Sequence, residues 1–124
     1  MNVVRSTQAR SFELPGLRFT SLASPTANGS DTCLWQLQVD AGLDSGQAHS
    51  LDHDEVFVVL DGQVRLHPDG PDLTAGDAAV VPAGEPIQLL NTGDGPARLH
   101  VAVRAGFTAT MADGTAVGTP PWAA

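Results

Sequence analysis

The chain has 124 residues, 42% hydrophobic and 16% charged, so a single domain with a buried core is expected and disorder is disfavoured. Acidic residues outnumber basic ones by 14 to 6 and no basic cluster occurs, which disfavours binding to nucleic acid or to an anionic membrane surface. One cysteine excludes an internal disulfide framework, and the N-terminal segment lacks the apolar run of a signal peptide, so a cytoplasmic protein is expected.

Short strand-like runs follow one another along the chain, separated by segments rich in glycine and proline. No window keeps the apolar periodicity of a long amphipathic helix. The predicted strands are 11–14, 17–22, 32–40, 55–60, 63–67, 78–82, 86–91 and 97–104. About eight short antiparallel strands in a chain of this length predict an all-β fold, either a small barrel or a jelly roll.

The third predicted strand, 32–40, alternates clearly. Cys33, Trp35 and Leu37 share one apolar face, and the glutamines between and after them face the other way. This pattern is typical of a strand with one face in the core and the other in water. Cys33 is therefore interpreted as a small buried hydrophobic residue and not as a nucleophile.

The dipeptide Asp61-Gly62 lies directly between two predicted strands. Asp-Gly is a strong signal for a two-residue β-hairpin, in which both turn residues need a positive φ. The sequence therefore predicts that strands 55–60 and 63–67 form a hairpin.

The whole chain, residues 1–124, is interpreted as one domain, with N-terminal strands over about residues 1–25 and an extended tail over about residues 112–124. The tail is rich in Gly, Thr and Pro. Its Trp122 follows two prolines, which cannot lie in a helix interior, and an isolated Trp of this kind is expected to dock on its own domain or on a neighbouring subunit.

A segment that begins at His49 concentrates the residues that carry chemistry. His49, His53 and Glu55 supply two imidazoles and a carboxylate just before, and at the start of, a predicted strand. Side chains of these types can hold a divalent metal when they converge. The segment from Gly76 to Gly84 is interpreted as a second strand, which is also bounded by turn residues. The two segments together locate the candidate site.

These segments resemble those of a small single-domain cupin of the RmlC-like jelly-roll superfamily. The first cupin motif is Gly, five residues, His-x-His, three or four residues, Glu, six residues, Gly; the second is Gly, five residues, Pro-x-Gly, two residues, His, three residues, Asn. The matching positions are His49, Glu55 and Gly62 in the first motif and Gly76, Pro82, Gly84 and Asn91 in the second. The resemblance implies a cupin-type double-stranded β-helix, a jelly-roll barrel, with a site inside it.

Two departures from the motifs bear on the metal. The second histidine of the first motif is Leu51, and the histidine of the second motif is Ile87. In metal-binding cupins three histidines and one glutamate converge on one ion, so two of the four family ligands are replaced here by hydrocarbon. The resemblance therefore implies a metal centre that is degenerate or absent, with one divalent Fe, Mn or Zn ion as the alternative.

Two other histidines could replace a lost ligand. His53 would join His49 and Glu55 if the chain turns before the strand, giving two imidazoles and a carboxylate, but in a turn it could equally face water. His100 lies in a strand that is apolar on both sides and could enter the barrel, whereas His67 is predicted to point outward. Without a metal, Glu55 could hydrogen-bond to His49, as an acid/base couple or as a polar clasp.

The rest of the presumed pocket is apolar, which is typical of a small-molecule site and equally of a filled barrel core. The predicted lining residues are Trp35, Leu37, His49, Leu51, Glu55, Phe57, Ile87 and Leu89, with Val59 and Val101 as further candidates.

Three functions remain open from the sequence. The first is binding of a small, partly apolar ligand in the barrel, with His49 and Glu55 as polar anchors. The second is a metal-dependent enzyme, dioxygenase-like or isomerase-like by analogy with cupins, with His53 or His100 completing the ligand set. The third is a structural dimerisation module with a closed barrel. The resemblance also implies a homodimer, because small cupins commonly pair through their sheets.

Overall fold

The computed structural model describes residues 1–124, and almost all of its regular structure is β-sheet. The strands are β1 (Ser11–Leu14), β2 (Leu17–Ala23), β3 (Thr32–Val39), β4 (His49–Leu51), β5 (Glu55–Asp61), β6 (Gln63–Arg65), β7 (Leu73–Thr74), β8 (Ala78–Val81), β9 (Leu90–Asn91), β10 (Ala97–Arg104), β11 (Ala109–Met111) and β12 (Ala116–Gly118). One short helix, α1 (Pro25–Asn28), and a 3₁₀ turn (Pro121–Ala123) complete the fold. Neither is long and apolar enough to cross a membrane.

The strands form one large sheet and two small ones. The large sheet has the order β1-β2-β3-β10-β5-β8, and the small sheets have the orders β12-β11-β4 and β7-β6-β9. Antiparallel bridges pair His49 of β4 with Ile87, just before β9, and Leu90 of β9 with Asp44, just before β4, so the two small sheets adjoin here. The buried apolar residues come from both sides, so the core lies between the large sheet and the small ones. The predicted all-β jelly-roll barrel is confirmed.

Strict alternation builds the inner face of the large sheet. In β3 the residues Cys33, Trp35, Leu37 and Val39 are buried, and in β10 every second residue from Ala97 is buried. β10 pairs with β3 along its whole length and with β5 on its other side, so the three strands present one continuous apolar surface. Burying an aliphatic or aromatic side chain of this size contributes roughly 1.5–3 kcal/mol, which makes this surface the main source of stability.

The predicted strands agree best with the structure in the large sheet. Strands 11–14 and 97–104 coincide with β1 and β10, whereas only residues 90–91 of the predicted strand 86–91 belong to a strand. Four strands were not predicted: β4, β7, β11 and β12. Each has two or three residues, which is too few to show a period of two.

The predicted hairpin at Asp61-Gly62 is wrong. β5 pairs with β10 and β8 in the large sheet, whereas β6 pairs with β7 and β9 in a small sheet, so the chain changes sheets here. Gly62 has a φ of +83°, and no residue other than glycine has a positive φ. A Cβ atom on Gly62 would lie 2.7 Å from the Ala97 Cα atom. Glycine is therefore required both by its backbone conformation and by this close approach.

The C-terminal segment is not simply extended. It forms β12, which pairs with β11, and ends in the 3₁₀ turn. The Trp122 ring stacks on Phe19 with 3.7 Å between ring centroids, so this tryptophan docks on its own domain. The Cys33 thiol, fully buried, lies 3.2 Å from the Ala123 carbonyl oxygen and ties the turn to β3.

Asn91, the last residue of the second motif, is a buried structural clasp. Its Nδ2 atom donates to the carbonyl oxygens of Val39 (3.3 Å), Asp40 (3.1 Å) and Gly95 (2.9 Å), and its Oδ1 atom accepts from the Gly93 N–H at 3.0 Å. One amide side chain thus joins β9 to the end of β3 and to the turn that precedes β10.

We predict that Asn91→Asp lowers the free energy of unfolding by about 3 kcal/mol or more, because a carboxylate would face three carbonyl oxygens without a donor. Urea unfolding followed by tryptophan fluorescence would measure the loss. The control is Asn2→Asp, the same change at an exposed residue whose Nδ2 atom makes one hydrogen bond, to the Asn28 carbonyl at 3.0 Å, and for which we expect a loss of about 1 kcal/mol or less. Equal stability of the two variants would contradict the structural role of the Asn91 side chain.

Candidate ligand cavity inside the barrel

A cavity of about 460 Å³ lies between the large sheet and the sheet β12-β11-β4. Of the 22 residues that line it, 15 are hydrophobic. The large sheet contributes Leu14, Leu17, Phe19, Trp35, Leu37, Glu55 and Phe57, and the opposite wall contributes His49, Leu51, Ile87, Leu89, Ala109, Met111 and Val117. This volume falls within the range of roughly 300–1,000 Å³ that is usual for small-molecule sites. A closed barrel would leave room for no more than a few waters, and the volume of this cavity is larger.

The structure brings together all eight residues that were predicted to line the pocket. Val59 and Val101, the two further candidates, are buried in the core and are not part of the cavity wall. The lining residues that sequence reasoning missed include Phe19, Phe107 and Met111. Phe107 lies outside every strand and Met111 in a three-residue strand, so neither carried a periodic signal.

Glu55 is the most unusual side chain of the cavity. It begins β5, is 4% exposed, and lies in a row with Val103 of β10 and Val81 of β8. Its Oε2 atom has no hydrogen-bond partner. Burial raises the pKa of Glu55 to about 8, so the carboxyl group is mostly protonated at pH 7.

His49 faces the same cavity from the opposite wall. It lies in β4, held by two backbone hydrogen bonds with Ile87 of 3.0 and 2.7 Å, and its side chain is half-buried. Burial lowers the pKa of His49, which favours the neutral imidazole. No hydrogen bond joins His49 to Glu55, so the pairing left open from the sequence, as an acid/base couple or a polar clasp, is not formed, and burial drives both groups toward their neutral forms.

The other histidines lie outside the cavity. His53 is in the turn between β4 and β5, where its Nδ1 atom is 2.8 Å from the Asp52 carboxylate. Asp52 also accepts from the backbone N–H and the hydroxyl of Thr108, at 2.8 and 2.9 Å. The Thr108 backbone hydrogen bond, followed by the one from His53, lowers the pKa of Asp52 to about 2. This pairing turns His53 toward the surface of the turn and away from Glu55.

His100 and His67 do not reach the cavity either. His100 lies in β10 between two buried residues, so its side chain is on the outer face of the large sheet, next to Gln36 and Val58. His67 accepts a hydrogen bond from the Asp69 N–H at its own turn. Neither histidine lines the cavity, so neither takes the place of a missing family ligand.

The residues present do not fit the four-ligand metal centre of metal-binding cupins. Leu51 and Ile87 stand in the cavity wall at the two replaced ligand positions, and neither has a lone pair. His49 and Glu55 remain as possible metal ligands, but they lie on opposite walls of the cavity. No group of three or more His, Cys, Asp or Glu side chains is arranged to hold a metal ion, so the predicted set of His49, His53 and Glu55 does not come together.

Two unpartnered polar atoms instead mark the cavity. The Trp35 Nε1 atom and the Glu55 Oε2 atom are both buried without a hydrogen-bond partner, and both residues line the wall. Leaving a buried polar group unpaired costs roughly 1–3 kcal/mol, and native proteins contain few such groups.

Comparison with known proteins gives one family and many similar structures. The model of the cupin domain family matches residues 35–104 of this chain. No curated protein sequence matches it. Among solved structures, the polyketide cyclase RemF from Streptomyces resistomycificus is 20% identical with a TM-score of 0.71, and the match covers 84% of this chain and 79% of the cyclase.

Two further structures share the fold. A sugar phosphate isomerase of the cupin superfamily from Silicibacter pomeroyi is 29% identical with a TM-score of 0.62, covering 80% of this chain and 67% of the isomerase. An RmlC-like cupin from Shewanella frigidimarina is 20% identical with a TM-score of 0.68, covering 84% and 90%. Likeness at this level shows the fold and assigns no chemistry, because one fold hosts many functions.

We predict that Glu55→Gln removes a pH-dependent loss of stability. The unfolded carboxyl group ionises near pH 4.5 and the folded one near pH 8, so the folded state binds more protons between these values and wild-type stability falls as pH rises. The advantage of Glu55→Gln over the wild type should grow from pH 4.5 to pH 8 by up to about 5 kcal/mol and then stay constant.

Urea unfolding at a series of pH values would measure this difference. Glu85→Gln, at an exposed glutamate, is the control and should follow the wild-type profile. If the free energy of unfolding varied with pH in the same way for Glu55→Gln and the wild type, Glu55 would not be a buried acid without a partner.

Proposed function

The chain belongs to the cupin family, and from this membership and the shape of its interior we propose that the barrel binds a small, mostly apolar molecule, with His49 and Glu55 as polar anchors. The observation that carries the proposal is the cavity of about 460 Å³, whose apolar wall contains two buried polar atoms without partners. Apolar walls with a few convergent polar groups are the usual composition of ligand sites.

The geometry supports binding more than the two alternatives. A metal-dependent enzyme would need a third and a fourth ligand, and the wall offers Leu51 and Ile87 at those positions. A structural module with a closed barrel would need side chains that fill the interior. The exposed segment between β3 and β4, which contributes Asp44, Ser45 and Gln47 to the wall, provides a polar rim through which a ligand could enter.

We predict that 2-naphthol, a bicyclic phenol of suitable size, raises the thermal midpoint of the wild type by about 5 °C at ten times its dissociation constant. Tryptophan fluorescence should change with the same saturation curve, because Trp35 and Trp122, the two tryptophans of the chain, both line the cavity.

Ala109→Phe, which projects a ring into the cavity, should abolish both responses, whereas Ala112→Phe at an exposed position should retain them. Saturable binding that is the same in both variants would place the ligand elsewhere.

We also propose that two copies of the chain pair through the outer face of the large sheet. The register places Val80 beside Val56, and Val56 beside Ala102, which is followed by Leu34. Val80 is 61% exposed, which is unusual for a valine in a strand. In a dimer with twofold symmetry the same surface of each copy forms the interface, so this apolar row would pack against the same row of a second copy.

We predict that sedimentation of the wild type at 50 µM gives a mass near twice 12.8 kDa. Val80→Asp should sediment at 12.8 kDa, and Val117→Asp, at an exposed valine on a different sheet, should behave as the wild type does. A wild-type mass of one chain would overturn the dimer and leave ligand binding untouched.

A further inference from the structure

We propose that the molecule bound in this cavity is an organic cation, an amine on an aryl or alkyl body, whose ammonium group pairs with the Glu55 carboxylate among aromatic rings. The inference rests on the proposed function, that a small molecule occupies the barrel, and it names the chemical class of that molecule. Three independent features of the wall support it: its aromatic content, its lone buried acid and its lack of arginine side chains.

The aromatic residues of the chain are gathered around the cavity. The sequence contains four Phe, two Trp and no Tyr. Five of these six line the cavity: Phe19, Trp35, Phe57, Phe107 and Trp122. The sixth, Phe12, lies below the Arg10 guanidinium at 5.5 Å, where it already meets a cation. The faces of aromatic rings attract cations, by roughly 0.5–1 kcal/mol when exposed and about 2 or more when water is excluded.

Glu55 supplies the charge that such a cation would pair with. It is 4% exposed, lines the cavity, and has neither a hydrogen-bond donor nor a basic residue beside its Oε2 atom. A buried carboxyl group is usually paired, because ionisation in an apolar environment is costly without a partner. Here the protein provides no partner, and an ammonium group in the cavity would complete the pair.

The charges around the cavity disfavour an anion. The six basic residues of the chain are all arginines, and none of them lines the wall. The titratable groups that do are Asp44 at the exposed rim, His49 opposite, and Glu55 itself. The chain as a whole has a net charge of −8. An acidic molecule would therefore enter against the field of the protein, whereas a cation would be drawn toward the rim.

The remaining polar atoms indicate where a second group of the ligand would lie. The Trp35 Nε1 atom is a donor without an acceptor. A hydroxyl or carbonyl oxygen on the body of the amine would accept this hydrogen bond. The neutral His49 imidazole can accept a hydrogen bond from an ammonium N–H, so it adds an anchor to the cation without adding a repulsive charge.

The test compares three probes of similar size that differ in charge: 2-phenylethylamine, 2-phenylethanol and 3-phenylpropanoate. Calorimetric titration of the wild type at pH 8.5 would give the three dissociation constants. At this pH the amine is still a cation and the Glu55 carboxyl, with a pKa of about 8, is largely ionised. We expect the amine to bind at least tenfold more tightly than the alcohol, and the carboxylate to bind more weakly than either.

Two variants separate a direct pair from a general attraction. Glu55→Gln should weaken amine binding at least tenfold and change alcohol binding by less than threefold. Glu85→Gln, the same change at an exposed acid that is not part of the cavity wall, should change amine binding by less than threefold.

The inference is overturned if the alcohol binds as tightly as the amine, or if Glu55→Gln weakens both probes equally. Binding of 2-naphthol without binding of the amine would overturn the cation alone and leave the proposed function standing. Failure of 2-naphthol and all three charged and neutral probes would overturn both.

Discussion

The pairing of β10 with β3 on one side and β5 on the other is the constraint on which the site depends. Side chains alternate between the two faces of a strand, so a slip of one residue in this pairing would turn every inner side chain outward. In the observed register, Trp35, Val101 and Phe57 lie in one row, and Cys33, Val103 and Glu55 lie in the next. The aromatic wall and the buried acid are thus placed by the same backbone hydrogen bonds that stabilise the barrel.

The sequence predicts the parts of the site that follow from this alternation. Trp35, Leu37 and Phe57 were identified because their strands are long enough to show a period of two, and Glu55 because its distance from Gly62 follows a family motif. The placement of His49 and Glu55 on opposite walls of one cavity could not be predicted in the same way. The two residues lie in different sheets, so their separation depends on the spacing between the sheets and not on their positions along the chain.

Local turn chemistry is similarly incomplete as a guide. Asp61-Gly62 has the composition of a hairpin, but the dipeptide does not specify which strands will pair on either side of it. The structure uses Gly62 because it packs against Ala97 where the chain crosses between sheets. Leu51 and Ile87 show the reverse case: both were recognised as replacements for family ligands, and both remain in the cavity wall as hydrocarbon. The barrel has kept its framework while its inner surface has changed, which is why family membership alone does not assign chemistry.

The C-terminal segment completes the wall with residues that belong to no long strand. Val117, Pro120 and Trp122 line the cavity, and the segment is anchored through the Trp122–Phe19 stack and the hydrogen bond from Thr119 to the Phe107 carbonyl at 2.7 Å. None of these three residues belongs to a strand of the large sheet, so they can be substituted without removing a hydrogen bond of that sheet. Related proteins could therefore differ in ligand specificity through substitutions in this C-terminal segment, while the barrel framework stays the same.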